Sequence, residues 1–328
     1  MSAVLSPKEE QHRRLVQQMR STFGPVVCRA FEDPLVVEVM LNDDGNVLVE
    51  RHGRGIEVEG TLPAQQGINA IGLVASWIGA IGNADHPIVE GALPKEFGGA
   101  RFEGVLPPCS PGPLFAIRLK ARVVYTLEDY VSKGIMSSEQ LGRLRQAVIN
   151  HQNILVSGGT GSGKTTLGNS LLREVAVGAG LNDRIVLIED TPELECTAPN
   201  TVSLLTKDTV DMTRLLKATL RLRPNRIIVG EVRDGSALAL LKAWNTGHPG
   251  GLATIHANNP EGALLRLDQL CQEAGVPSQH QLIREAVDLV VQISRTNEPP
   301  GRRVHAIFDV KTSNTALTSS AQGDLRST

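Results

Sequence analysis

Eight consecutive residues carry the most recognisable chemistry in the chain. Gly158-Gly159-Thr160-Gly161-Ser162-Gly163-Lys164-Thr165 fits G-x-x-x-x-G-K-[ST]. In that pattern glycines let the backbone turn its N–H groups onto phosphate oxygens, and the helix that follows presents its positive N-terminus. Lys164 has the reach for β and γ phosphates, and the Thr165 hydroxyl suits Mg²⁺. The flanks meet the structural condition for such a loop: Asn153-Ile154-Leu155-Val156 reads as a strand, and Thr166 to Val177 as a helix. Residues 158–166, Thr166 included, are therefore expected to hold ATP with Mg²⁺.

Binding a nucleotide does not imply hydrolysing it, because water activation needs acids from elsewhere in the chain. Two apolar runs end in carboxylates: Ile185-Val186-Leu187-Ile188 leads into Glu189-Asp190, and Ile227-Ile228-Val229-Gly230 leads into Glu231. At the C-terminal ends of parallel strands beside the loop strand, both would face the nucleotide crevice. An acid there can hold Mg²⁺ directly or through water, or orient the attacking water. Glu231 is assigned to the water and Glu189 to the metal, together with Thr165.

The elements that must position these groups fall into two halves. At 328 residues, the chain exceeds the roughly 250–300 residues at which single cores stop growing, so two domains are expected. In the first half, Ser6-Pro7 followed by Leu15, Met19 and Phe23, with Gly24 after them, reads as a capped amphipathic helix. Leu35 to Leu41 and Val47 to Glu50 flank Asn42-Asp43-Asp44-Gly45 as a hairpin. A buried helix around Trp77 and strands at Ile88 to Ala92, Ala100 to Leu106 and Leu114 to Leu119 complete a small α+β domain, residues 1–125. From Leu127 the pattern becomes apolar runs alternating with helices, as in a mainly parallel sheet. Residues 126–136 read as a linker and 137–310 as a RecA-like α/β P-loop domain. Its strands are expected at Asn153 to Ser157, Arg184 to Ile188, Arg226 to Val229, Leu252 to Ile255 and Val304 to Val310. The Ser- and Thr-rich tail, 311–328, is expected to be disordered.

Composition narrows the function classes. A net charge of -2 and a pI near 6.5 give no global basic footprint, so direct DNA binding is not expected. Arg214, Lys217, Arg221, Arg223, Arg226 and Arg233 form a local basic cluster, but no aromatics are interleaved to stack bases. Its expected use is a solvated face with subunit contacts. With only 3% aromatics, the core is expected to rest on Val, Ile, Leu and Ala. Cys28, Cys109, Cys196 and Cys271 lie far apart and suggest neither a zinc site nor a disulfide framework. The polar N-terminus lacks a signal-like apolar segment. The apolar stretch Ile68 to Ile81 is interrupted and short of the roughly 20 residues a membrane span needs. The expected location is the cytoplasm, with any membrane contact peripheral.

Four boxes in order carry a resemblance. They are Gly158 to Thr166; Ile188-Glu189-Asp190-Thr191-Pro192-Glu193-Leu194; Arg223-Pro224-Asn225-Arg226-Ile227-Ile228-Val229-Gly230-Glu231-Val232-Arg233; and Gly247-His248-Pro249-Gly250-Gly251-Leu252-Ala253-Thr254-Ile255-His256-Ala257. Together they resemble the bacterial type II/IV secretion traffic ATPases. The run Gly99 to Pro108 and Phe115-Ala116-Ile117-Arg118 resemble the type IV secretion and conjugation branch. No tetracysteine module or Ala-Ile-Arg-Asn-Leu-like motif points to the type II or pilus-retraction branches.

The resemblance implies a homo-hexameric ring at the cytoplasmic face of the inner membrane, working with inner-membrane components of a secretion or conjugation apparatus. It implies that Arg101 and Arg118, with Arg122 a weaker match, complete a nucleotide site between the domains; an arginine acting as a finger is worth about 10³–10⁵ in turnover. It also implies that His256 senses the γ-phosphate, with His248 a second histidine to weigh. A pilus-assembly ATPase of the type IV or tight-adherence kind, a nucleotide-binding scaffold with negligible turnover, and a small-molecule kinase remain as rivals. The kinase is disfavoured by the lack of an evident acceptor site.

Overall fold

Ser6 begins the described chain as the N-cap of α1 (Pro7–Glu32). Its hydroxyl accepts the Glu9 N–H while the Glu9 carboxylate accepts the Ser6 N–H at 2.7 Å, a reciprocal cap of the kind worth about 1 kcal/mol. The first helical segment ends at Gly24 as its sequence suggests, and a second follows it directly. Gly24 (φ 75°, ψ 174°) and Pro25 make a kink, and the helix resumes because Val27, Ala30 and Phe31 continue the buried stripe of Val16, Met19 and Phe23. The computed structural model describes residues 6–51, 54–120, 125–207 and 209–313. It divides into two units between Val123 and Val124.

In the first unit, β1 (Val36–Leu41), β2 (Asn46–Arg51) and β3 (Gly55–Thr61) precede α2 (Ala64–Ile78). After α2 come β4 (Ile88–Ala92), β5 (Arg101–Val105) and β6 (Leu114–Arg118). The strands form one antiparallel sheet in the order β3-β2-β1-β6-β5-β4. The expected hairpin is present, with Leu41 paired to Val47. α1 and α2 cover one face, and α2 buries Ala70, Ile71, Val74 and Ala75. The core here departs from the aliphatic expectation. Phe23, Phe31, Phe97, Phe102 and Phe115 are all buried, with ring centroids 5.1–6.0 Å apart, so the few aromatics are concentrated where one small sheet needs bulk.

The second unit starts with α3 (Leu127–Ser132) and α4 (Ser138–Ile149), each with a full capping box at Thr126 and Ser137. Within residues 126–136, the segment read as a linker, α3 forms and Leu127, Tyr130, Ile135 and Met136 are buried in this unit's core. The alternating elements that follow are β7 (Ile154–Ser157), α5 (Lys164–Gly178), β8 (Ile185–Glu189), β9 (Thr201–Leu205), α6 (Met212–Thr219) and β10 (Arg226–Val229). The chain continues through α7 (Ser236–Asn245), β11 (Leu252–Ile255), α8 (Pro260–Gln272), α9 (His280–Ala286), β12 (Leu289–Arg295) and β13 (Arg302–Asp309).

These strands form one sheet, β13-β12-β7-β11-β10-β8-β9, parallel except for β13. The residues of β7, β8, β10 and β11 are all buried because helices cover both faces, which is why they read as unbroken apolar runs. Among the described residues no helix is long and apolar enough to cross a membrane. Of the tail expected to be disordered, residues 314–328 lie outside the described residues, as does Arg122.

One expected surface charge is interior. Arg226 is 5% exposed, pairs with Asp183 at 3.0 Å and donates to the Val148 carbonyl and to His151 Nε2. Burial, and next the Arg226 charge, hold the His151 pKa below its ordinary value. Above about pH 6.5 the imidazole is neutral in both folded and unfolded chains. Below it the unfolded chain takes up the proton first, so stability falls with pH through this residue. The urea midpoint is expected to drop between pH 7.5 and pH 5.5, and His151→Asn is expected to shrink that drop; an unchanged drop would clear His151.

Candidate functional site

The C-terminal ends of β8, β10, β11 and β7 stand level, since Val229 pairs with Ile188 and Ala253, and Ile255 with Ser157. Residues just past those ends must therefore meet along one edge of the sheet. They are Glu189, Glu231, His256 and the loop from Gly158, all named from the sequence.

The loop wraps the start of α5, with Gly163 as its N-cap at φ 100°, a left-handed conformation that L side chains rarely take. Gly158 is needed for a different reason: a Cβ there would sit 2.2 Å from the Ile293 carbonyl oxygen of β12. Lys164 is 7% exposed. Its Nζ donates to the Gly158 and Gly159 carbonyls at 3.0 and 3.1 Å. The same Nζ lies 3.2 and 3.3 Å from the two ring nitrogens of His256.

His256 in turn places Nε2 2.7 Å from Glu231 Oε1, while Arg233 donates to Glu231 Oε2 at 2.6 Å. Burial opposes the Arg233 charge, but the bond to Glu231 keeps its pKa above the ordinary arginine value. A chain of contacts therefore runs Lys164, His256, Glu231, Arg233. Backbone ties make it rigid: Thr254 Oγ1 donates to the Gly230 carbonyl at 2.7 Å, and the Val232 N–H donates to the Thr254 carbonyl at 2.9 Å.

Glu189 has a task that sequence reasoning missed. It is 3% exposed, and its Oε1 accepts the backbone N–H groups of both Glu193 and Leu194 at 2.8 Å. Asn169 of α5, also buried, holds the same loop by donating to the Glu193 carbonyl and accepting the Glu195 N–H. With two N–H groups on Oε1, any metal contact by Glu189 falls to its other oxygen. A polar residue inside the apolar stripe of Leu167, Leu171 and Leu172 was the available signal for Asn169.

Other sequence expectations separate. His248 Nδ1 lies 3.1 Å from the Ala243 carbonyl at the end of α7, an arrangement suited to closing that helix. Arg101 and Arg118 belong to the first unit, where they are direct cross-strand partners on β5 and β6. Arg101 lies 3.5 Å from Glu90, and Arg118 is exposed. Among the described residues no cluster of three or more His, Cys, Asp or Glu could hold a metal alone. Thr165 in the first turn of α5 and Glu189 at the end of β8 offer oxygen donors, which suits Mg²⁺, an ion that keeps several waters and takes one or two protein oxygens besides substrate phosphates.

The type II/IV secretion system protein family model matches residues 27–323. The chain is 49% identical over 300 residues to the conjugal transfer protein TrbB of Rhizobium radiobacter, covering 92% of this chain and 91% of that protein. It is 30% identical to the type IV secretion system protein VirB11 of Bartonella quintana, covering 80% and 86%. Among solved structures, the pilus retraction motor PilT with bound ADP aligns at TM-score 0.62 and 20% identity, covering 89% of this chain and 83% of that one. The Legionella pneumophila ATPase DotB aligns at TM-score 0.59 and 17% identity, covering 92% and 80%. These two share the fold. With the phosphate loop, the strand-end acids and the histidine in the expected order, and with the match running through both units, the chain belongs to the type II/IV secretion system protein family.

Proposed function

We propose that the protein is a hexameric traffic ATPase whose Mg²⁺-dependent ATP hydrolysis powers conjugative pilus assembly or substrate transfer through a type IV secretion system. The observation that carries this reading is the unbroken contact chain from Lys164 through His256 to Glu231. It links the residue that grips the γ-phosphate to the residue that can orient water. A γ-phosphate would draw Lys164 off the Gly158 and Gly159 carbonyls. Because His256 touches both Lys164 and Glu231, that shift alters the setting of Glu231 at once, and loss of the phosphate reverses it.

Thr165, and Glu189 through its second oxygen or a water, would hold Mg²⁺, which would supply positive charge against the charge developing on the phosphates. Glu189 also holds the 190–195 loop. Arg101 and Arg118 put two guanidinium groups opposite each other on one ladder. Glu38 and Glu90 lie beside them, so their use on the γ-phosphate is supported by the resemblance of their positions to the family's arginines. Inner-membrane components of the conjugation apparatus are the proposed partners, at the cytoplasmic face of the membrane. The 49% identity to a conjugal transfer protein supports this output.

The test is ATPase activity measured alongside native mass. A hexamer that hydrolyses ATP only with Mg²⁺ is expected; a monomer, or a rate that ignores Mg²⁺, would overturn the reading. Arg118→Ala is expected to lower turnover at least ~10-fold, and nucleotide affinity much less, since an arginine finger acts mainly on the transition state. An unchanged rate would remove Arg118 from the site.

A further inference from the structure

Two arginines that no motif absorbs reach the phosphate loop from the far side of β7. β12 and β13 form an antiparallel hairpin in which Arg295 stands directly opposite Arg302. Arg295 Nε donates to the Gly161 carbonyl at 2.9 Å. Its guanidinium is pressed so close to the loop that a Cβ on Gly161 would lie 2.2 Å from Nη2. Arg302 approaches the loop two residues on: a Cβ on Gly163 would lie 2.8 Å from its Nη1. Between those glycines sits Ser162, 2% exposed, whose Oγ has no hydrogen-bond partner among the described residues.

Both guanidinium groups bring fixed positive charge to the wall of the loop. The loop that both touch has the sequence of a polyphosphate-binding loop, and positive charge at its wall favours such a ligand. The carbonyl contact also has a geometric effect. In a peptide unit the C=O and N–H point in opposite directions, so drawing the Gly161 carbonyl outward turns the Ser162 N–H back into the loop, where it donates to the Gly159 carbonyl at 3.3 Å.

We infer that Arg295 and Arg302 form an outer clamp on the phosphate loop: Arg295 is a positioning residue that sets the loop crest through the Gly161 carbonyl, and the pair supplies positive charge for the polyphosphate of a bound nucleotide. The inference rests on the reading of residues 158–166 as a nucleotide site. Because β12 is hydrogen-bonded to β7 with Gln292 opposite Ser157, the clamp is anchored on the sheet that carries the loop. The glycines at 161 and 163 then serve the approach of these arginines as well as the turn.

The experiment is binding of a fluorescent ADP analogue to the full chain at two salt concentrations, with steady-state ATPase kinetics and a urea midpoint for each variant. Wild type, Arg295→Ala, Arg295→Lys and Arg302→Ala are compared, with Lys164→Ala as the reference for a failed site. Arg295→Ala is expected to weaken ADP binding about 10-fold or more, the scale of one charge-assisted hydrogen bond. Its KM for ATP is expected to rise while kcat at saturation stays within about twofold. Arg295→Lys, which keeps the charge without the planar fork, is expected to recover only part of the affinity. Arg302→Ala is expected to flatten the salt dependence.

ADP affinity in Arg295→Ala and Arg302→Ala equal to wild type, while Lys164→Ala fails, overturns the clamp and leaves the nucleotide site standing. A wild-type chain that binds no ADP overturns the nucleotide reading and the clamp with it. A lower urea midpoint with unchanged affinity means that the contact is structural only, and also overturns the clamp. If Arg295→Ala does not fold, Arg295→Lys and Arg302→Ala decide the matter.

Discussion

Glu231→Gln is expected to keep ATP bound while lowering turnover by about 10²–10⁴, the range over which a positioned acid or base contributes. Glutamine has nearly the same shape, so the strand end and its ties to Thr254 persist. What changes is charge. Glu231 now accepts from Arg233 on Oε2 and faces His256 on Oε1, and an amide can accept on only one of those atoms. Water orientation and the link to His256 fail together, whereas the phosphate-binding groups are untouched. The measurement is phosphate release beside equilibrium ATP binding. Turnover within twofold of wild type would remove Glu231 from the chemistry. Loss of ATP binding would show instead that its role is to hold the pocket.

Lys164→Ala is expected to remove turnover entirely and to weaken nucleotide binding severely. The ammonium is the buried positive charge at the loop, held by two carbonyls and the His256 ring. No other lysine lies within the 158–166 loop to replace it. Truncation leaves the α5 N-terminus and the backbone N–H groups, which bind anions but do not follow the γ-phosphate. The same assay separates the chemical reading from the scaffold alternative. A wild-type rate indistinguishable from Lys164→Ala, with assembly intact, would favour a nucleotide-binding scaffold. A rate that vanishes in both variants, with ATP still bound by Glu231→Gln, fits the hydrolytic site.

Much of the fold is legible because burial is written locally. β7, β8, β10 and β11 are covered on both faces, so each is a short apolar run closed by Gly, Glu or His, and each falls within one residue of where the sequence puts it. The strands that escape notice have other surroundings. β3 is an exposed edge whose apolar Ile56 and Val58 face outward, leaving no inward pattern to detect. β9 is half-exposed for the same reason. β12 follows α9 after only two residues, Val287 and Asp288, and its apolar run continues that of the helix, so periodicity alone does not divide them. At Gly24-Pro25 the local signal to stop is obeyed, since Gly24 is non-helical, and what the sequence left unread is the second helical segment that continues the buried stripe to Glu32.

The site divides in the same way. Sequence alone determined the phosphate loop, the helix after it, the two strand-end acids and the order of the boxes. Each of these is a pattern within about ten neighbouring residues whose backbone and burial needs are local. Only the tertiary structure decided which side chains meet. Lys164, His256 and Glu231 come from three strand ends brought level by sheet order and register. Glu189 and Asn169 share the 190–195 loop, and Arg295 reaches Gly161 across 134 positions of chain. Strand order and register arise from packing the whole domain, and no local pattern encodes them.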